Sequence, residues 1–292
     1  MLLPEHIGVM QWGRPGDTPV LALHGWLDNA ASFAPLAEYL CQHYPIHFVA
    51  MDLAGHGCSA WRQHGHYYVW GYCQEVRELV EALAWRRFHL LGHSLGAGVA
   101  TLFAAAYPQT LASLLLIEGL GPVSAAVPNF VHHLPKVKKV ASSAPSSREF
   151  DSIEQAIAVR MRGMWPLSAN AAKPLVERAL RKMESGCWQW RTDPRLKAPS
   201  PLRLTETQVR HYLAQLPMPV RLLWGEEGIL PKWPQLDERK LLLAQMEETT
   251  LPGGHHLHLD EQVVASAQWL AAQLGVSAYA PARVQQVHPA GI

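Results

Sequence analysis

Gly92-His93-Ser94-Leu95-Gly96 constrains this chain more than any other segment. It separates Phe88-His89-Leu90-Leu91, an apolar run that reads as a buried strand, from the alanine-rich stretch Gly96 to Tyr107, which reads as a helix stopping before Pro108. A strand that turns at once into a helix leaves little room, and glycines at 92 and 96 let the two pack closely. A serine held at such a turn has strained backbone angles. The helix N-terminus behind it supplies N–H groups and a positive dipole end for developing negative charge. Ser94 is therefore a candidate nucleophile.

The surrounding pattern repeats the same unit. Pro19 to His24, His47 to Met51 and Leu114 to Ile117 are further short apolar runs. Between them Phe33, Leu36, Ala37 and Leu40, then Val76, Leu79, Val80 and Leu83, recur at helical spacing. Alternation of this kind predicts an α/β fold on a mostly parallel sheet flanked by helices. From Pro122 to Leu216 the pattern changes to helical stretches broken by Pro, Ser and Gly, with no convincing strand. Strand character returns at Val220 to Trp224 and Thr249 to Leu251, and a last helix carries Val263, Ala267, Leu270, Ala271 and Leu274 on one face. The expected organisation is a core of residues 1–121 and 217–276, an inserted helical cap over 122–216, and a loose tail over 277–292.

With 49% hydrophobic and 17% charged residues, the chain has ample material for a buried core. A net charge of +1 argues against nucleic acid or anionic membrane as a partner. The charge is uneven, however: 15 basic against 7 acidic residues give residues 122–216 a balance of +8, and the rest of the chain carries −7. This basic excess is either solvated surface or an attraction for anionic substrates. The N-terminus lacks a positive start before a long apolar run, and no stretch of about 18 apolar residues occurs, so a cytoplasmic protein without secretory signal or membrane span is expected. Cys41, Cys58, Cys73 and Cys187 lack metal-type spacing and are expected to be free thiols, mostly buried.

On these segments the chain resembles the α/β-hydrolase family, in its serine-nucleophile, esterase-like branch, over roughly residues 5–275. His24-Gly25-Trp26 resembles the family's H-G-x oxyanion loop, and Asp52-Leu53-Ala54-Gly55-His56-Gly57 resembles its D-x-x-G-x-G turn. The resemblance implies that the backbone N–H groups of Trp26 and Leu95 hold the oxyanion, and that His24 and His56 brace loops. It also places the catalytic imidazole directly after glycine in the loop following the last strand, at His255, leaving His256 and His258 to loop packing. A His-His-x-His cluster lacks an accompanying ligand set, so no metal is expected, and the reaction needs no cofactor.

The acid departs from the commonest pattern, because its usual position is occupied by Gly228. Two alternatives remain: Glu227, one residue earlier, and Glu118, directly after Leu114 to Ile117. Some haloalkane dehalogenases place their acid as Glu118 would be placed. Neighbouring parallel strands lie ~4.8 Å apart with their carboxyl ends together, so an acid on the strand beside Ser94 reaches the same imidazole, and Glu118 is preferred. Dehalogenases and epoxide hydrolases of this fold use Asp where Ser94 stands, which excludes their reactions. The implied activity is cleavage of a small carboxylic ester through an acyl-enzyme, with thioester or C–C bond hydrolysis by the same residues as the alternative. A binding protein on the same fold is the third reading. Trp26, His93, Met161 and Trp165 are candidate substrate-binding residues.

Overall fold

Strands buried on both faces need apolar side chains at every position rather than at alternate ones, which explains the uninterrupted runs. In β2 (Thr18–Leu23) Leu21 and Leu23 enter one core and Val20 and Ala22 the other. The same alternation holds for Leu90 against Leu91 in β4 (Phe88–His93) and for Leu114 and Leu116 against Leu115 and Ile117 in β5 (Leu111–Ile117). One face is covered by α2 (Gly71–Ala82) and α3 (Leu95–Ala106), the other by α1 (Ala34–His43) packed on α7 (Val263–Leu274). The computed structural model describes residues 3–125, 148–198, 200 and 202–280; residues 126–147 of the expected cap and the tail from 281 onward lie outside the described part.

Among the described residues the sheet, with β1 (Val9–Trp12), β3 (Ile46–Met51), β9 (Val220–Gly225) and β10 (Met246–Leu251), has seven strands in the order β1-β3-β2-β4-β5-β9-β10. Every pairing is parallel except β1 with β3. The α/β architecture expected from the sequence is thus present. The order puts β4 at the centre with β2 and β5 beside it, so the segments leaving their carboxyl ends converge. Among the described residues no helix is long and apolar enough to cross a membrane.

The strand-to-helix turn is as tight as the glycines imply. Ser94 has φ 52° and ψ −112°, a left-handed conformation costing roughly 1–3 kcal/mol that the surrounding packing must hold. A methyl group built on Gly96 would overlap the backbone carbonyl of Leu23 in the neighbouring strand. Gly96→Ala is therefore expected to destabilise the protein by about 3 kcal/mol or more, read as a lower urea midpoint. An unchanged midpoint would mean that strand and helix separate easily here.

The chain leaves the sheet after Ile117 and rejoins it at Val220. Between them lie α4 (Ile153–Met161), α5 (Ala169–Ala179) and α6 (Glu206–Leu213), started by Ser152, Ser168 and Thr205, whose side chains accept from the first turns. The expectation of no strand here is corrected. β6 (Glu149–Phe150), β7 (Leu180–Lys182) and β8 (Trp188–Trp190) form a small antiparallel sheet in the order β6-β8-β7. Two or three residues per strand are too few to display a period, and pairing with β8 supplies what each lacks alone. The cysteines are free as expected, but of the four only Cys73 is buried and Cys58 is exposed.

Ion pairs tie this basic segment to the acidic body. Arg178 reaches Asp52 at 2.8 Å and Arg160 reaches Asp28 at 2.9 Å, both carboxylates being buried. Ser168 donates through its backbone N–H and hydroxyl to Asp260, and Asn29 donates to the carbonyl of Leu175. Part of the charge asymmetry in the sequence is thus attachment between the two segments rather than solvated surface.

Candidate active site

Ser94 follows β4, Glu118 follows β5, and His255 lies four residues beyond β10, so the sheet order brings all three to one edge. The Ser94 N–H donates to the carbonyl of Ile117 at 3.0 Å, fixing the turn against β5. Glu118 is fully buried and has φ 52°, which turns its side chain back across β9 instead of continuing the strand. Its Oε1 accepts from the Gly225 N–H at 2.8 Å and its Oε2 from the Ile229 N–H at 2.7 Å. Oε2 also lies 3.1 Å from His255 Nδ1. Since a carboxylate only accepts, Nδ1 carries the proton and the lone pair is left on Nε2.

Gly228, where the commonest pattern has its acid, explains the arrangement. A side chain built there would begin inside the Glu118 carboxylate. One space near His255 is filled from β5 instead of from the loop after β9. Glu227 is exposed on that loop, its N–H bonded to the carbonyl of Gly253, and the pairing with His255 is made by Glu118.

The other histidines sort by partner. His24 is buried, with Nδ1 2.7 Å from the Gly25 carbonyl, while Nε2 accepts from the Leu53 N–H; His56 lies against it with Nδ1 3.2 Å from the Ala54 carbonyl. Burial pushes His56 down to about 3, and both act as loop braces. His258 is likewise fully buried and pushed down to about 3 by burial. His256 contacts Asp28 at 2.9 Å. Burial alone would raise the Asp28 carboxyl, yet the imidazole of His256, with Arg160, holds it well below the usual range. Neither Asp28 nor Arg160 stands out in the sequence, because their pairing spans 132 residues.

His93 requires a correction. It has no exposure and lines neither of the cavities that meet at Ser94, so it is not placed to bind substrate. Its Nε2–H donates to the carbonyl of His255 at 2.9 Å, bracing the loop that carries that imidazole. Burial, helped by the neighbouring imidazoles, keeps His93 well below its ordinary pKa and neutral. Met161 also lines neither cavity and packs with Leu167, Ala171 and Leu259. Trp26 and Trp165 do line a cavity, Trp165 with its ring centroid 4.8 Å from that of His255.

Ser94 opens onto two spaces. The larger, about 750 Å³, is largely apolar, with Val69, Leu204 and Trp233 in its wall. The smaller, about 180 Å³, also contains His255, His256, Asp28 and Arg160. Trp26 lies between them, its indole N–H donating to the Leu196 carbonyl at 3.0 Å. The Leu95 N–H is the first of α3 and has no helical carbonyl to receive it. A hydroxyl at a strained turn, an imidazole oriented by a buried carboxylate, and free helix N–H groups form a set that can pass a proton and steady an oxyanion.

The family model described as alpha/beta hydrolase fold matches residues 18–262. A serine hydrolase-like protein of Danio rerio is 30% identical over 273 residues, covering 88% of this chain and 81% of that protein. A hypothetical protein of Pseudomonas aeruginosa PAO1 with a solved structure is 40% identical, with a TM-score of 0.83 over 93% of this chain and 95% of that one. A thioesterase domain from the curacin biosynthetic pathway is 26% identical, with a TM-score of 0.77 over 92% and 94%. By this match and these relatives, the chain belongs to the alpha/beta hydrolase fold family and is a hydrolase.

Proposed function

We propose that this hydrolase cleaves carboxylic esters through an acyl-enzyme. Ser94 attacks the acyl carbon while His255 Nε2 takes its proton and later returns it to the leaving alcohol. Glu118 holds the imidazole in the tautomer this requires. The N–H groups of Trp26 and Leu95 receive the oxyanion, each donor being worth roughly 3 kcal/mol of barrier. In this reading residues 122–216 are the cap that shapes the pocket over a core of 1–121 and 217–276. The observation that carries the proposal is the 3.1 Å contact between His255 Nδ1 and a buried Glu118 whose other contacts are backbone N–H groups. A carboxylate at that depth is held for orientation, and the imidazole it orients opens with Ser94 onto one cavity.

The test is labelling of folded protein by a fluorophosphonate probe, followed by a panel of p-nitrophenyl esters and acyl thioesters of increasing chain length. Strong labelling with ester turnover is expected. Folded protein that neither labels nor turns over any acyl substrate belongs to a binding protein instead. A preference for thioesters favours the second reading, which the likeness to a thioesterase domain supports.

The pH profile has a definite sign. Burial pushes the His255 pKa below its ordinary 6.5, and the hydrogen bond His255 donates to Glu118 offsets this only in part. The base form of His255 is thus retained as pH falls from neutrality and lost below 6.5. For a neutral ester kcat/KM should be flat at neutral pH and fall on acidification with an apparent pKa under about 6.5. A midpoint above about 7 would contradict the downward shift that burial gives His255.

A further inference from the structure

We infer that the larger cavity takes substrates whose long arm ends in an anion, a carboxylate or phosphate, held at the mouth by Lys197, Arg203 and Lys232. This rests on the hydrolase reading above, with Ser94 as the reacting group.

Arg195, Lys197, Arg203 and Lys232 all line this cavity, against a single lining carboxylate, Glu118. Both Glu118 oxygens are already occupied by Gly225, Ile229 and His255. Arg195 is matched by the buried Asp193. The other three are exposed, and among the described residues none is in an ion pair. All 24 acidic side chains of the chain lie within the described residues, so none is left elsewhere to neutralise them. Lys197 and Arg203 belong to the segment before β9 and Lys232 to the turn after it; two separate parts of the chain bring unmatched cations to one opening.

A neutral apolar ligand gains nothing from this arrangement. An anion at the opening with its alkyl chain against Val69, Leu204 and Trp233 satisfies both parts of the cavity, and low-dielectric walls concentrate the field at the mouth. The volumes assign the arms: about 180 Å³ on the other side of Ser94 suits a compact leaving group, whereas about 750 Å³ suits the longer, charged arm.

Kinetic and equilibrium measurements test this separately. The first compares p-nitrophenyl octanoate with the mono-p-nitrophenyl ester of octanedioic acid, in the natural chain and in the triple variant Lys197→Glu, Arg203→Glu, Lys232→Glu. The charged ester should be preferred about tenfold in kcat/KM at low salt, with the preference shrinking to about twofold at roughly 0.5 M salt and reversing in the variant. Esters that turn over with a salt-independent ratio near one in the natural chain overturn the anion site while leaving the catalytic reading intact. The second measures calorimetric binding of octanoate, octyl phosphate and octanol to Ser94→Ala, which needs no turnover. Either anion binding more tightly than octanol, with the advantage lost at high salt, supports the site, and the tighter of the two identifies the anion. Equal binding of all three overturns it. Absence of any ester turnover with retained anion binding would instead remove the catalytic reading and keep the site.

Discussion

Replacing Ser94 by alanine is expected to lower kcat toward p-nitrophenyl esters by about 10⁶-fold, or about 8 kcal/mol of barrier, while leaving ester binding nearly intact. The size follows from the role: without the hydroxyl there is no acyl-enzyme, and only the oxyanion donors and binding remain to assist water. The backbone makes a second, opposite expectation. Ser94 is held at φ 52°, a conformation that any Cβ makes unfavourable, so alanine keeps the strain whereas glycine releases it. Ser94→Gly should be equally inactive yet more stable than the natural chain, by about 1 kcal/mol after allowing for the extra freedom of glycine in the unfolded state. Urea titration of the three proteins, with kinetics on each, checks both statements. Ser94→Ala retaining more than about one part in 10³ of kcat would mean that another group attacks the ester. A glycine variant less stable than the alanine variant would mean that the turn is not strained.

That strain also accounts for how much could be read in advance. The glycine-flanked serine is legible because its turn demands small residues at fixed offsets, and the parallel sheet is legible because two covered faces demand continuous apolar strands. What escaped the sequence depends on partners distant along it. β1 is four residues at a sheet edge, half covered, and exists through pairing with β3. The small sheet of β6, β7 and β8 is likewise a product of pairing. Arg160 and Arg178 count as surplus charge until Asp28 and Asp52 are brought to them across 132 and 126 residues. His93 departs from its expected place for a simpler reason. Adjacent to Ser94 in sequence, it is the last residue of β4, and its side chain points into the sheet edge under the His255 loop rather than toward the cavities. Met161 suits a cavity wall by being large and apolar in the inserted segment, but it packs instead with Leu167 and Ala171 of that segment and with Leu259 of the core.

The acid is where sequence and geometry sharpen each other most. Glu118→Gln is expected to lower kcat by about 10⁴-fold, since the imidazole loses both the tautomer preference and the negative charge that steadies its protonated form. Glu227→Gln, on the exposed loop, should change kcat by less than about twofold. A collapse in the second variant alone would reverse the assignment. The overlap between the Glu118 carboxylate and a side chain at Gly228 yields a stronger test, because the two positions compete for one space. Gly228→Asp alone should be damaging, as it forces a second carboxylate onto the first and unfavourably pairs their charges. Combined with Glu118→Ala, which empties that space, the same aspartate should raise kcat by about tenfold or more over Glu118→Ala alone, a change of sign that independent sites do not produce. Circular dichroism and urea midpoints on all four proteins separate loss of fold from loss of function. If the aspartate is equally harmful with and without Glu118, the two positions do not share the space beside His255, and the carboxylate has not moved from one strand end to its neighbour.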